Sequence, residues 1–168
     1  LENLKLLFDM KQEVFHKTAI KGIAAENDVL EFLKDYIERC RLGDVVSLSG
    51  TSKGRLKNNK TGDIISYVGD GNSGRKIAIE CKFDKSIKLG GVDSPDIAAN
   101  KYDTAWGQLL EASVNRDANV SVIVFDKTLA DVSILRSVEG VTYISNIGFV
   151  CIVDYEASNY NNLAIAYN

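Results

Sequence analysis

The stretch Lys76-Ile-Ala-Ile-Glu-Cys-Lys-Phe83 decides the fold. Its residues alternate in character. Ile77, Ile79, Cys81 and Phe83 fall on one side of an extended chain, and Lys76, Ala78, Glu80 and Lys82 on the other. The first set is the apolar face of a strand. The second sets a carboxylate and an ammonium one step apart on the opposite face. Lys82 is therefore expected to stand away from the core and to be replaceable without loss of stability. Just upstream, Gly69-Asp-Gly-Asn-Ser-Gly74 matches G-x-G-x-x-G. A dinucleotide fingerprint needs a helix directly after its glycines, and here a strand follows. The glycines are read instead as a hairpin turn that pairs this strand antiparallel with Asp63–Val68, bringing Asp63 beside Glu80.

Outward from this hairpin, Val45–Leu48 reads as a short strand. Residues 84–96 form a polar connection holding the only proline, Pro95. Ile97–Asn115 reads as a helix with Tyr102, Ala105, Trp106 and Leu109 on one face, and Asn119–Phe125 as a buried strand. A helix between two strands favours a parallel crossover. Leu129–Val138 reads as helical, and Val141–Ser145, Phe149–Val153 and Leu163–Tyr167 as strands. At the other end, residues 1–18 and 19–41 read as two helices. The expected fold class is α/β, a mixed β-sheet flanked by helices in two or three layers. Residues 1–18 are expected to be an N-terminal helical extension, either packed on the domain or ending a coiled coil, and 19–168 the domain itself.

The 168 residues suffice for one domain with a full core, and 45% hydrophobic and 26% charged residues exclude a disordered chain. The longest apolar runs are too short to span a bilayer, so no membrane partner is expected. The chain starts at Leu1 and is expected to be a processed chain or a piece of a longer protein. Cys40, Cys81 and Cys151 are far apart with no metal-ligand spacing, which points to a reducing, cytoplasmic setting. The only histidine, His16, lies in a helical stretch and is read as a partly exposed helix residue, so a His-rich zinc site is excluded. A net charge of −3 argues against coating nucleic acid by bulk charge, although local patches can outvote it.

Two carboxylates held close repel unless a cation lies between them, and Mg²⁺ needs only one or two carboxylates plus water. An adjacent lysine can orient or deprotonate an attacking water, or stabilise developing charge. Glu26 is expected in the middle of the apolar stripe of its helix, with Leu33 and Ile37 nearest and Leu30, Cys40 and Gly22 beside them, a place where a carboxylate needs a partner or a task. Gly62-Asp63, followed at 17 residues by Glu80-Cys-Lys82, resembles the motif of the PD-(D/E)xK nuclease superfamily. Lys21-Gly-Ile-Ala-Ala-Glu26 and Ile79-Glu-Cys-Lys82 look most like bacterial nuclease-like domains appended to coiled coils, the RmuC-like family.

The resemblance implies a restriction-endonuclease-like αβββαβ core and Mg²⁺- or Mn²⁺-dependent cleavage of DNA. It implies metal ligation by Asp63, Glu80 and the backbone carbonyl of Cys81, with Lys82 positioning water and Glu26 holding metal-bound water. Gly62 stands where the motif has proline, a departure expected to be tolerable. Some relatives carry Gln-x-x-x-Tyr on the second helix; this chain has Gln108 but Ala112, which leaves Gln108 a further candidate.

Charge distribution bears on the partner. The Gly50–Lys60 loop carries Lys53, Arg55, Lys57 and Lys60 and no acid, and its Gly, Ser and Asn content reads as mobile. Lys85 and Lys88 follow Lys82, so a basic rim suited to DNA phosphates is expected around an acidic centre. Three readings stand: a nuclease; a catalytically silent module of the same fold used for DNA binding or assembly, with homo-oligomerisation through the N-terminal helix; and a plain α/β domain whose Glu80–Lys82 pair is a salt bridge.

Overall fold

The computed structural model describes residues 2–91 and 103–168, with the side chains of residues 2–4, 6, 8, 9 and 11–19 excepted. Pro95, residues 97–102 and the setting of the His16 side chain lie outside the described residues, but the helix expected from Ile97 begins only at Ala105, because Thr104 is extended at φ −127° and caps it by accepting from the Gly107 N–H.

The chain opens with one helix, α1, Glu2–Cys40. The expected break at residue 18 is absent, because no proline intervenes and the single glycine beyond it, Gly22, is tolerated between helix-formers on either side. Its fully buried line is Ala25, Val29 and Leu33, joined by Leu30 and Ile37. Glu26 sits on the flank of that line and is half-buried, and Cys40 is exposed.

β1 (Val45–Leu48), β2 (Ile64–Tyr67) and β3 (Lys76–Lys82) follow. After them come α2 (Ala105–Arg116), β4 (Val120–Asp126), α3 (Val132–Ser137), β5 (Val141–Ile144), β6 (Gly148–Val153) and α4 (Asn161–Tyr167). The last segment is a helix where a strand was expected. Leu163, Ala166 and Tyr167 are spaced to bury one helical face on the sheet, and Tyr167 Oη reaches Asp44 at 2.8 Å.

The six strands form one mixed sheet in the order β1-β2-β3-β4-β6-β5. β1, β2 and β3 run antiparallel in sequence, β3–β4 and β4–β6 pair parallel, and β5 returns antiparallel on β6. The even–odd alternation of β3 divides two cores. Ile79, Cys81 and Phe83 pack with α1 and α4, whereas Ile123 and Phe125 of β4 pack with Ala105 and Leu109 of α2 and Ile134 of α3. The domain is thus three-layered, helices–sheet–helices. No helix among the described residues is long and apolar enough to cross a membrane.

Candidate active site

The site forms where β2 begins. Ile64 pairs with Ile79, yet the Asp63 N–H also donates to the Ile79 carbonyl at 2.9 Å. Two residues thus face one, as in a β-bulge, a device that re-aims a side chain. Asp63 Oδ2 accepts from the Cys81 N–H at 2.8 Å. Its Oδ1 takes no hydrogen bond from any described residue and points toward Gly50, where an added Cβ would stand 3.1 Å away.

Glu80, on the α2 face of β3, is only 4% exposed. Its Oε2 accepts from the Gly62 N–H at 2.6 Å and its Oε1 from Lys82 Nζ at 2.5 Å. Lys82 is not away from the core as expected: its side chain is 12% exposed, and with Glu80 it forms a buried ion pair. The reason is that α2 covers this face too, so both faces of β3 are interior.

Asp63, Glu80, Lys82, Lys60 and Gln108 line one polar cleft of about 420 Å³, together with Gly50, Asn58, Asn59 and Thr61. Burial, then the Glu80 charge, push the Asp63 carboxyl up to about 8, against the hydrogen bond from Cys81. Burial lowers the Lys82 pKa, but Glu80, Asp63 and Asp84 outweigh it and hold the ammonium above its ordinary value. Glu26 is raised by burial and then by Glu80 and Asp84. It reaches this neighbourhood because α1 touches the end of β3 at Gly22, whose added Cβ would lie 3.4 Å from Asp84 Cβ. Glu26 faces the site from the other layer and is not among the residues that line the cleft.

The other basic candidates scatter. Lys53 bonds Asn58 Oδ1 at 3.0 Å, and Lys57 is exposed. Arg55 turns away from the cleft to pair with Asp117 at 2.6 Å. Lys85 pairs with Asp103 at 2.8 Å, and Lys88 stands near enough to Asp131 to help lower its pKa, behind the hydrogen bonds from Ser133.

The loop expected to be mobile is instead pinned, by two residues the sequence reading missed. Arg116, buried at the end of α2, donates Nε to the Gly62 carbonyl, Nη1 to Ser52 O and Oγ, and Nη2 to the carbonyls of Ser49 and Lys60, at 2.7–3.2 Å. All five guanidinium donors are used, and every acceptor belongs to the 49–62 segment. Asn115 accepts from the N–H groups of Arg55 and Leu56 and donates to the carbonyls of Asn59 and Thr61. In sequence, a basic residue in a last turn reads as a dipole partner and nothing more.

No protein-family model, curated protein or solved structure matches this chain. Its reading therefore rests on the cleft. Among the described residues no three His, Cys, Asp or Glu side chains form a metal cage. The hard-oxygen donor set still fits Mg²⁺ or Mn²⁺, which need one or two carboxylates with water. Asp63 Oδ1 is the open donor, and Gly50 keeps the space in front of it.

Proposed function

We propose that this chain hydrolyses DNA phosphodiester bonds with bound Mg²⁺ or Mn²⁺, on a restriction-endonuclease-like core of the PD-(D/E)xK kind. The observation that carries the reading is the meeting of Asp63 with Glu80 and Lys82 in one polar cleft, with the Cys81 backbone between them. The order α1-β1-β2-β3-α2-β4 supports it as well. A divalent ion supplies Lewis acidity and a bound water of lowered pKa. Asp63, Glu80 and the Cys81 carbonyl would hold it, and Glu26 would take hydrogen bonds from its water.

Lys82 stays protonated beside Glu80, so its task is to orient the attacking water or to meet developing negative charge, not to abstract a proton. Lys60, Asn58, Asn59 and Gln108 offer cleft-side donors to phosphate oxygens, contacts that position a strand without reading bases. The test is cleavage of plasmid, linear and branched DNA with Mg²⁺ or Mn²⁺ beside a Glu80→Ala control. Cleavage that survives Glu80→Ala would remove the site from the reaction.

One observation favours the silent module. Asp63 Oδ2 and both Glu80 oxygens already accept hydrogen bonds from this chain. Under that reading, the melting temperature does not respond to Mn²⁺. Under the nuclease reading it rises with Mn²⁺, by mass action on the folded state.

A further inference from the structure

Beside the polar cleft runs a second recess of about 290 Å³, lined by Leu56, Trp106, Gly107, Leu110, Glu111 and Val114. Trp106, Leu110 and Val114 recur every four residues along α2, so they form one apolar stripe. Leu56 walls it from the loop, held there by its N–H bond to Asn115 Oδ1 at 3.0 Å. The two recesses lie on neighbouring faces of α2: Gly107 lines this one and Gln108 the cleft. Thr61 Oγ1, on the cleft side, also donates to Glu111 Oε2 at 3.1 Å.

A flat indole in an apolar recess, beside a cleft whose amide and ammonium donors surround the carboxylates proposed to hold the divalent ion, matches the two halves of a nucleotide. The base has an apolar face that stacks, and the phosphate needs donors. Glu111 forbids the phosphate on the apolar side but does not penalise a neutral base. A base inside a duplex has both faces covered by its neighbours and cannot stack on a side chain.

We infer that the recess at Trp106 is a stacking subsite for an unpaired nucleobase of the strand whose phosphate lies at Asp63 and Glu80. The substrate class is thus single-stranded or locally unpaired DNA. This rests on the nuclease reading and narrows it.

Trp106 is the only tryptophan in the chain, so its fluorescence reports on this recess alone. The measurement uses a thymidylate oligomer and a blunt duplex of equal length with Ca²⁺ in place of Mg²⁺, which keeps a divalent ion between the carboxylates and the phosphate, with anisotropy of labelled DNA as the independent measure of binding and a gel of the same samples to show that the strands stay intact. The single strand is expected to quench Trp106 saturably and shield it from acrylamide, and the duplex to do neither. Trp106→Ala should weaken single-strand binding roughly 5- to 150-fold, the scale of one stacked base, and Trp106→Phe by less. A melting curve checks that both variants fold; the wild-type fluorescence result stands without them.

Single-strand binding that leaves Trp106 fluorescence and acrylamide access unchanged overturns the inference, while metal-dependent cleavage keeps the nuclease reading intact. So does a folded Trp106→Ala protein that binds the single strand as tightly as the parent. Concentration-dependent shielding of Trp106 without DNA, with a matching shift in sedimentation, would give the recess to a second copy of the chain and also overturn it. Neither binding nor cleavage of any DNA would remove both readings together.

Discussion

The main-chain N–H of Gly62 donates to Glu80 Oε2 at 2.6 Å, across the gap between the bent start of β2 and the middle of β3. The same residue's carbonyl receives Arg116 Nε at 3.0 Å. One peptide segment therefore ties the buried carboxylate to the buried guanidinium. Gly62 stands where the motif it resembles has proline, which has no N–H to give.

Gly62→Pro is accordingly expected to be costly. It removes the donor to Glu80. It also demands a φ near −65°, whereas Gly62 sits at +92° with an added Cβ only 2.7 Å from Arg116 Cγ. We expect a loss of about 3 kcal/mol or more in urea denaturation, with Gly62→Ala milder because the N–H survives. A Gly62→Pro protein as stable as the parent would refute the tie.

Arg116→Met should loosen the 49–62 segment, since four carbonyls and the Ser52 hydroxyl lose their buried donor. The expected cost is about 3 kcal/mol or more, with faster amide exchange confined to that segment. Arg116→Lys, with three donors on a point charge, should recover only part. Exchange that quickens evenly along the chain would mean that Arg116 supports the fold in general and not the loop.

Lys82→Ala should destabilise, because it leaves Glu80 buried with only the Gly62 N–H. Removing one partner of such a pair typically costs about 3–5 kcal/mol. The double variant Glu80→Gln with Lys82→Met should be more stable than Lys82→Ala. Under the nuclease reading, turnover of folded Lys82→Ala should fall about 10²- to 10⁴-fold with little change in Mn²⁺ affinity. Wild-type turnover would take the lysine out of the reaction.

Stability should fall as pH rises through the range set by Asp63. Its carboxyl is pushed from 3.8 up to about 8 by burial and by Glu80, so between those values the folded state binds a proton that the unfolded chain does not. The stabilisation is complete below the lower value and lost as pH climbs through the upper one. Glu26 shifts in the same direction. Asp63→Asn, which stays neutral, should flatten the profile and raise the melting temperature at pH 8. An equal slope in parent and variant would place the titration elsewhere.

Much of the architecture was legible from periodicity. Alternation over 76–83 set the two faces of β3, and the glycine cluster before it marked a hairpin and not a nucleotide loop. Both are local signals, because parity and turn chemistry act within a few residues. The neighbourhood of Asp63, Glu80 and Lys82 follows from the same short-range pairing. Parity also suggested that Lys82 was clear of the core. That failed because alternation tells which face a residue is on, not whether a second layer covers that face. The tail 163–167 misled for a related reason: five residues are too few to separate a strand from one helical turn and a half.

By itself, then, the sequence determined the β3 hairpin, the alternation of strands and helices, and the acids and lysine that share one neighbourhood. Tertiary structure alone decided the strand order β1-β2-β3-β4-β6-β5, the approach of Glu26 at the Gly22–Asp84 contact, and the pinning of the 49–62 loop by Asn115 and Arg116. The physical reason lies in the acceptors. Arg116 is held almost wholly by main-chain carbonyls, and every residue carries one. Nothing in the identity of Ser49, Ser52, Lys60 or Gly62 marks its carbonyl as the one a distant guanidinium will find. Only the path of the folded backbone brings those four to a single side chain.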